Sequence, residues 1–148
     1  MEREDLGALL ARAMRRIMEA ERPLLEAHGV GMWAYVALTL LARGPAPTQL
    51  ALAEAMGYDK TRLIKILDQL EGEGLITRRP GPADRRAKVV ELTDAGREKH
   101  AAVVASIRAL EEQLLAGLSA GERQTLFSVL SGLASPRPRP SAGPSSAS

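Results

Sequence analysis

Cysteine is absent from this chain of 148 residues, and only two histidines are present. Without cysteine there can be no disulfide, no thiolate metal site and no redox switch that depends on a thiol. His28 and His100 lie far apart in the sequence, although they could still meet carboxylates across an interface between subunits. We therefore predict no metal site and no cofactor.

Aromatic residues are also scarce, with one Trp, two Tyr and one Phe, whereas Leu and Ala are abundant. This composition favours a fold that is mostly α-helical, because Leu and Ala are strong helix formers. A chain of 148 residues suits one domain with a hydrophobic core of its own.

Long hydrophobic runs are a further absence, since no segment reaches the apolar length that is needed to span a bilayer. The first residues are acidic before they become apolar, so we do not interpret them as a signal peptide. We expect a cytoplasmic protein without a membrane partner. The formal net charge is only +2, so any argument for nucleic-acid binding must rest on where the charges lie.

Sequence motifs of catalysis are missing as well. The chain has no P-loop, no Gly-rich phosphate motif after a strand, no Ser/His/Asp framework and no HExxH sequence. Gly72 and Gly74 flank a glutamate, but a predicted strand rather than a helix follows them, so this short motif is interpreted as a helix stop. We therefore predict that the protein is not an enzyme.

The N-terminal stretch from Asp5 to His28 has the apolar periodicity of an amphipathic helix. Its apolar stripe is wider than one buried face requires, and Pro23 is expected to kink or interrupt the helix. A second subunit would explain the surplus apolar surface, and burial within the chain's own domain is the alternative. The next segment, Met32 to Arg43, is apolar on nearly all sides and predicts a central helix.

The segment that follows predicts a helix-turn-helix. Thr48 is the expected N-cap of the first helix, and Gly57 is the expected turn. In the first helix we expect three residues to face the core: Leu50, Ala53 and Met56. Asp59 is the expected cap of the second helix, whose buried face consists of Leu63, Ile66, Leu67 and Leu70.

Basic residues cluster on the exposed side of the second helix, near its N-terminus. The candidate contacts are Lys60, Thr61, Arg62 and Lys65. A recognition helix requires this arrangement, because its exposed N-terminal half must carry long donors that reach base edges and phosphates. An ordinary solvated helix face is the alternative interpretation.

Two short segments, Ile76 to Arg79 and Lys88 to Leu92, predict a β-hairpin with a turn rich in Pro and Gly. Five basic residues and one acid, Asp84, lie from Arg78 to Lys88. Arginine on a hairpin tip can enter a narrow minor groove or bind phosphates, and Asp84 can hold a neighbouring guanidinium. From Thr48 to Thr93 the chain has eight basic and seven acidic residues. The argument for DNA binding therefore rests on the positions of these charges and not on their sum.

Two further helices are predicted after the hairpin. Thr93 is expected to cap a helix from Asp94 to Gly117, and Ser119 with Glu122 forms a capping box that starts the last helix. Both helices are apolar enough to indicate a helical dimer interface. The remaining residues, 135–148, are Pro, Ser, Ala, Gly and two Arg, which predicts a disordered tail.

The order of these elements resembles the MarR family of winged-helix transcription regulators. The most specific match runs from Asp84 to Gly96, where an Asp-x-Arg motif is followed by Leu-Thr and then by Ala-Gly. The segment from Leu70 to Arg78 is similar to the family's exit from the recognition helix. The resemblance covers about Leu6 to Ala134 and implies a mostly α fold with a small β-hairpin wing.

The resemblance also implies a homodimer that binds double-stranded DNA at a pseudo-palindromic operator. It assigns residues 1–134 to one winged-helix domain, with a DNA-binding lobe at about 32–93. Dimerisation helices would lie at about 5–28 and 94–134. The recognition helix would enter the major groove, and the wing would enter the flanking minor groove.

Carried over residue by residue, the resemblance places DNA contacts at the candidate positions of the second helix. Arg86 would contact DNA from the wing, braced by Asp84, while Arg85 and Lys88 would contact the DNA backbone. Asp59 stands where the family often has a small hydroxyl residue. Because its carboxylate would repel phosphate, we interpret Asp59 as a cap.

Many members of the family resemble repressors that leave their DNA when a small anionic or phenolic ligand binds. The resemblance therefore implies a repressor with a crevice for such an effector. Candidate residues are Arg15 or Arg16 as the partner of the anion, with His28, Met32, Trp33 and Tyr35 as the walls. For the two aromatic residues the alternative is packing in the core, and for the histidine it is a hydrogen-bonded or surface position. A winged-helix adaptor that binds protein is a further alternative, but it would not need the cationic tips of helix and wing.

Overall fold

The computed structural model describes residues 3–136, which form helices and one antiparallel hairpin of two strands. In chain order the elements are α1 (Leu6–Ala27), α2 (Met32–Leu41), α3 (Gln49–Met56), α4 (Lys60–Gly72), β1 (Ile76–Pro80), β2 (Lys88–Leu92), α5 (Asp94–Leu114) and α6 (Ala120–Ala134). The predicted fold class, mostly α with a small β-hairpin wing, is confirmed. Most of the predicted disordered tail, residues 137–148, lies outside the described residues.

The chain divides into two compact units, Met1–Leu110 and Glu111–Ser148, and α5 spans the division. The core of the first unit draws on the helices α1 to α5 and on both strands. Its most completely buried large side chains are Leu38, Leu63, Leu67, Ile76, Val90 and Val103. This core holds α4 against the hairpin and leaves the opposite side of α4 exposed.

The turn between α3 and α4 forms as the sequence predicts. Thr48 Oγ1 accepts a hydrogen bond from the Ala51 amide at 2.9 Å, and Asp59 Oδ2 accepts one from the Arg62 amide at 2.9 Å. These caps satisfy amides that a helix N-terminus leaves without partners. Gly57 has a φ of 61°, a left-handed conformation that glycine adopts without steric cost.

One residue of α3 departs from the prediction. Leu50 was expected to face the core, but its side chain is 49% exposed, so this prediction is wrong. Leu52 is buried instead, together with Ala53 and Met56, which confirms the other two expected positions. Because α3 spans only 8 residues and is apolar at most of them, periodicity could not separate Leu50 from Leu52.

The hairpin pairs Ile76 with Leu92 at its base and Pro80 with Lys88 near its tip. Val90 and Leu92 are buried, as their alternation predicts. At the start of α5, Thr93 Oγ1 accepts from the Gly96 amide at 3.0 Å and donates to the Gly74 carbonyl oxygen at 2.6 Å. The predicted Thr93 cap is therefore confirmed, and it also ties α5 to the base of the hairpin.

Two helices end slightly earlier than predicted, and Pro23 does not interrupt its helix. The second helix ends at Leu41 rather than Arg43, and the fifth ends at Leu114 rather than Gly117. Pro23 lies inside α1 without interrupting it. A proline removes only one hydrogen bond of the helix, and the strong helix formers on both sides of Pro23 sustain the remaining turns.

Apolar side chains remain exposed on α1 of the first unit and, separately, on α6 of the second. On α1 they are Leu6, Leu9, Leu10, Met14, Ile17 and Met18. No residue of α6 is buried, although the predicted Ser119–Glu122 capping box is present. Within the described residues, no single helix is long and apolar enough to cross a membrane; α1 and α2 would pass only as a pair bent by 81°.

Candidate nucleic-acid interface

The exposed side of α4 carries the four residues that the sequence singled out. Lys60, Thr61, Arg62 and Lys65 are all exposed, whereas Leu63 and Leu67 on the other side are fully buried. The anchored face fixes the helix in the core, and the long polar side chains project from the first two turns. This half of α4 can therefore enter a groove without disturbing the packing that supports it.

The tip of the hairpin is held by its own backbone. The Gly81 amide donates to the Ala87 carbonyl oxygen at 2.7 Å, which closes the turn. Asp84 Oδ1 accepts a hydrogen bond from the backbone amide of Arg86 at 2.9 Å. The contact that the structure gives to Asp84 is thus with the backbone of Arg86, while the sequence had suggested a neighbouring guanidinium.

The cations of this surface fall into two groups. Within the strands of the hairpin, Arg79 pairs with Glu91 at 2.7 Å, and Arg78 pairs with Asp68 of α4 at 2.6 Å. Among residues 3–136, no salt bridge involves the cations of the recognition helix and the tip: Lys60, Arg62, Lys65, Arg85, Arg86 and Lys88. Their charges stay available to an external anion.

Arg78 is a structural residue that the sequence reasoning counted only as one of the wing cations. Its guanidinium donates to Asp68, to Glu71 at 3.0 Å and to Gln49 Oε1 at 3.1 Å, and its side chain is only 12% exposed. Arg78 therefore joins α3, α4 and β1. The hydrogen bond from Arg78 lowers the pKa of Glu71, which keeps that carboxylate charged. A carboxylate seven residues before an arginine, across a helix stop, is the signal that could have indicated this pair.

A notch lies between the N-terminus of α3, the start of α4 and the tip of the hairpin. It has a volume of about 260 Å³, and the polar residues that line it are Thr48, Gln49, Lys60, Asp84, Arg86 and Lys88. Residues that the sequence predicted separately, on the recognition helix and on the wing, are thus brought to one depression in the surface.

The residues predicted to form a ligand pocket are not brought together in one place. Met32 lines two neighbouring cavities of about 220 and 210 Å³, and Trp33 lines the second of them. Arg15 and Arg16 are exposed on α1 and line neither cavity, while Arg22 lines the first. The arginine that faces a cavity therefore lies about two turns further along α1 than the sequence suggested.

The aromatic and histidine members of that predicted pocket make other contacts. The ring of Trp33 stacks on Tyr58, next to the start of α4, with ring centroids 4.3 Å apart. His28 Nε2 lies 2.9 Å from Ser106 Oγ, so this histidine is hydrogen-bonded to α5. Among the described residues, no cluster of three or more His, Asp or Glu side chains is placed to hold a metal ion.

His100 joins α5 to α2. Its ring stacks on Tyr35, with ring centroids 5.9 Å apart, and its Nε2 lies 3.1 Å from Thr39 Oγ1. The Thr39 hydroxyl already donates its proton to the Tyr35 carbonyl oxygen at 2.8 Å. His100 Nε2 is therefore the donor to Thr39. Burial lowers the pKa of His100, so the folded protein favours the neutral ring.

This burial predicts a pH effect on stability. The pKa of His100 in the folded protein is below the ordinary value of 6.5, so the unfolded chain binds more protons as pH falls through that value. The free energy of unfolding should therefore decrease as the pH falls from about 8 to about 5. In a His100→Gln variant, the free energy of unfolding should decrease less over the same pH range, because the contribution of His100 is absent. Urea unfolding of both proteins across the range is the measurement, and identical pH profiles would contradict the assignment.

Comparison with known proteins identifies the family. The model of the MarR family matches residues 32–88, which extend from α2 to the start of β2. A transcriptional regulatory protein for the hcr operon of Thauera aromatica, a name given as putative, is 34% identical over 127 residues. That alignment spans 85% of this chain and 76% of the relative.

Solved structures agree with this assignment. The transcriptional repressor CouR, bound to a 23-mer DNA duplex, is 29% identical with a TM-score of 0.77, and the match covers 91% of this chain and 100% of that one. CouR from Rhodococcus jostii RHA1, bound to p-coumaroyl-CoA, is 26% identical with a TM-score of 0.73, over 90% and 94% of the two chains. With the order of helices in residues 3–136, the antiparallel wing and these relatives, the chain belongs to the MarR family and is a winged-helix transcriptional regulator rather than an enzyme.

Proposed function

We propose that the protein is a cytoplasmic homodimeric repressor, which binds a pseudo-palindromic operator and is released by a small aromatic or anionic ligand. The observation that carries this proposal is the set of exposed cations without ion pairs on α4 and on the hairpin tip. A cation that already pairs with a carboxylate has much of its charge neutralised, whereas these cations keep their charge for DNA phosphates. The DNA-bound structure of CouR supports the same use of the fold.

The exposed half of α4 and the tip of the wing contact different parts of the DNA in this proposal. The exposed half of α4 enters the major groove, where Arg62 and Lys65 can reach base edges and Lys60 and Thr61 can reach phosphates. The wing lies at the flanking minor groove, where Arg86 contacts the DNA, while Arg85 and Lys88 contact the backbone. We assign the DNA-binding lobe to residues 32–93.

A second copy of the chain explains the exposed apolar surfaces. Isolated apolar side chains are common on protein surfaces, but a continuous row along a helix indicates a partner. We assign the dimerisation helices to residues 5–28 and 94–134. In such a dimer the two recognition helices would lie about 34–36 Å apart, so that each enters the same side of the duplex one turn from the other.

The two cavities beside the loop between α1 and α2 are the proposed ligand site. The first offers the guanidinium of Arg22, and the second extends to α4 through Ile66 and Leu70. Their volumes of about 220 and 210 Å³ exceed the roughly 150 Å³ of a cavity that holds a benzene ring. A ligand that binds better when α4 is displaced would shift the dimer towards a state with lower operator affinity. The complex of CouR with p-coumaroyl-CoA supports an aromatic effector.

The proposed wing contact can be tested by replacing Arg86 with alanine. We expect weaker binding to an operator duplex, because the variant loses a cation that contacts DNA. The slope of log K against log salt should also be smaller in magnitude by about 0.9, the value of one phosphate contact. Arg79→Ala is the matched control, since Arg79 is paired with Glu91 and should contribute little. Fluorescence anisotropy across salt concentrations gives both quantities. If Arg86→Ala keeps the affinity and slope of the wild type, the wing assignment is wrong.

A further inference from the structure

The notch between α3, α4 and the hairpin tip carries more positive than negative charge. Lys60, Arg86 and Lys88 line it together with a single carboxylate, that of Asp84. None of the three cations has an ion-pair partner within 4.0 Å among the described residues. Asp84 Oδ1 is engaged by the Arg86 backbone amide at 2.9 Å. The notch therefore favours an anion over a cation.

A neutral side chain, that of Gln49, also lines the notch and is held in one orientation. Arginine can only donate hydrogen bonds, so the atom of Gln49 that faces Arg78 must be its oxygen, which accepts from Arg78 Nη1 at 3.1 Å. The Gln49 amino group, with two donors, is then left for another acceptor. Since Asp68 and Glu71 fix the Arg78 guanidinium, Gln49 is oriented before any ligand arrives.

We propose that the notch binds one phosphodiester group of the DNA backbone. Lys60, Arg86 and Lys88 supply the charge, and the Gln49 amino group supplies a neutral donor. Arg78 is a positioning residue, because it orients Gln49 without touching the phosphate. The inference rests on the proposed function and adds to it a site at which one phosphate joins the recognition helix to the wing.

Such a site has a mechanical consequence. A phosphate held by Lys60 on one side and by Arg86 and Lys88 on the other fixes the distance between α4 and the hairpin tip in the complex. Charge-assisted hydrogen bonds to phosphate are about twice as strong as neutral ones. The notch would thus set the register of both tips on the duplex, independently of the base sequence.

Two substitutions at position 49 separate a role in the notch from a role in supporting Arg78. Gln49→Met removes both the donor and the acceptor, and we expect operator affinity to fall at least about tenfold. Gln49→Glu keeps an acceptor for Arg78 but places a carboxylate in the notch. It should bind at least about a hundredfold more weakly than the wild type, with a gap that narrows as salt rises. If Gln49 served only to support Arg78, Gln49→Glu would bind normally.

Gln69→Glu is the matched control for charge, since it makes the same change on α4 outside the notch. It loses the hydrogen bond from Gln69 Nε2 to Glu73, so a small decrease in melting temperature is expected, with operator affinity at the wild-type value. Melting temperatures close to that of the wild type would show that the variants fold. In duplexes with one neutral methylphosphonate in each half-site, placed at symmetry-related positions, a single pair of positions should abolish the difference between Gln49→Glu and the wild type. That result would identify the phosphate.

Normal affinity of Gln49→Glu, with the wild type still bound to its operator, would overturn the notch assignment and leave the proposed function standing. A methylphosphonate scan without any such position would overturn it as well. If the wild type binds no duplex at all, the proposed function fails together with the inference.

Discussion

Replacing Gly96 with alanine is expected to reduce the free energy of unfolding by about 3 kcal/mol or more, which is a large part of a typical domain's stability. A Cβ at this position would overlap the Leu75 carbonyl oxygen and lie 3.1 Å from Leu92 Cδ2. That carbonyl cannot move freely, because it accepts the Thr93 amide at 3.1 Å. The start of α5 would have to withdraw from the hairpin base, and urea unfolding measures the loss.

Gly72→Ala is the matched control for this prediction. Gly72 is the last residue of α4, outside the proposed dimerisation helices, and an added Cβ there would meet nothing within 4 Å. Alanine in an open helical position usually stabilises a protein by about 0.4–1 kcal/mol. Unfolding of Gly96→Ala at the same urea concentration as the wild type would show that α5 does not need its close approach to Leu75.

The second large effect is expected from replacing Arg62 and Lys65 together with alanine. If both reach base edges, each contact is worth about 1–3 kcal/mol. A dimer would lose four such contacts, so that operator affinity should fall on the order of a thousandfold at the lower limit of this range. Both side chains are exposed, so the melting temperature should hardly change.

The dependence of the affinity loss on DNA sequence is as informative as the size of the loss. Contacts to base edges distinguish sequences, whereas contacts to phosphates do not. We expect the double variant to lose much more affinity for its operator than for an unrelated duplex. An equal loss on both duplexes would reassign Arg62 and Lys65 to the DNA backbone, and no loss on either would exclude the exposed half of α4 from the interface.

Local features of the fold could be predicted because they depend on neighbours in the sequence. The caps at Thr48, Asp59 and Ser119 each join a side chain to an amide three residues later, and all three are confirmed. The start and end of β2 are also confirmed, since alternation of buried and exposed residues defines a strand.

Tertiary contacts could not be predicted in the same way. Nothing local indicates that Arg78 reaches Gln49, 29 residues earlier in the chain, or that it is paired while Arg86 is not. The sequence therefore indicated the two groups of cations, on α4 and on the wing, but it counted Arg78 as one of the wing cations although Arg78 is paired. Likewise, whether Arg15, Arg16 or Arg22 faces a cavity depends on the rotation of α1 in the fold, and the wide apolar stripe left that rotation open.

Selection of bound duplexes from a random pool tests the central claim most directly, namely that the two unpaired cationic tips of each subunit bind a symmetric operator. We predict enrichment of inverted repeats whose half-sites are separated by about one helical turn, 10–10.5 base pairs from centre to centre. The same selection with the Arg62→Ala and Lys65→Ala double variant should yield no such repeat. A pool that stays random with the wild-type protein, or that yields a single unpaired half-site, would contradict the proposed mode of binding.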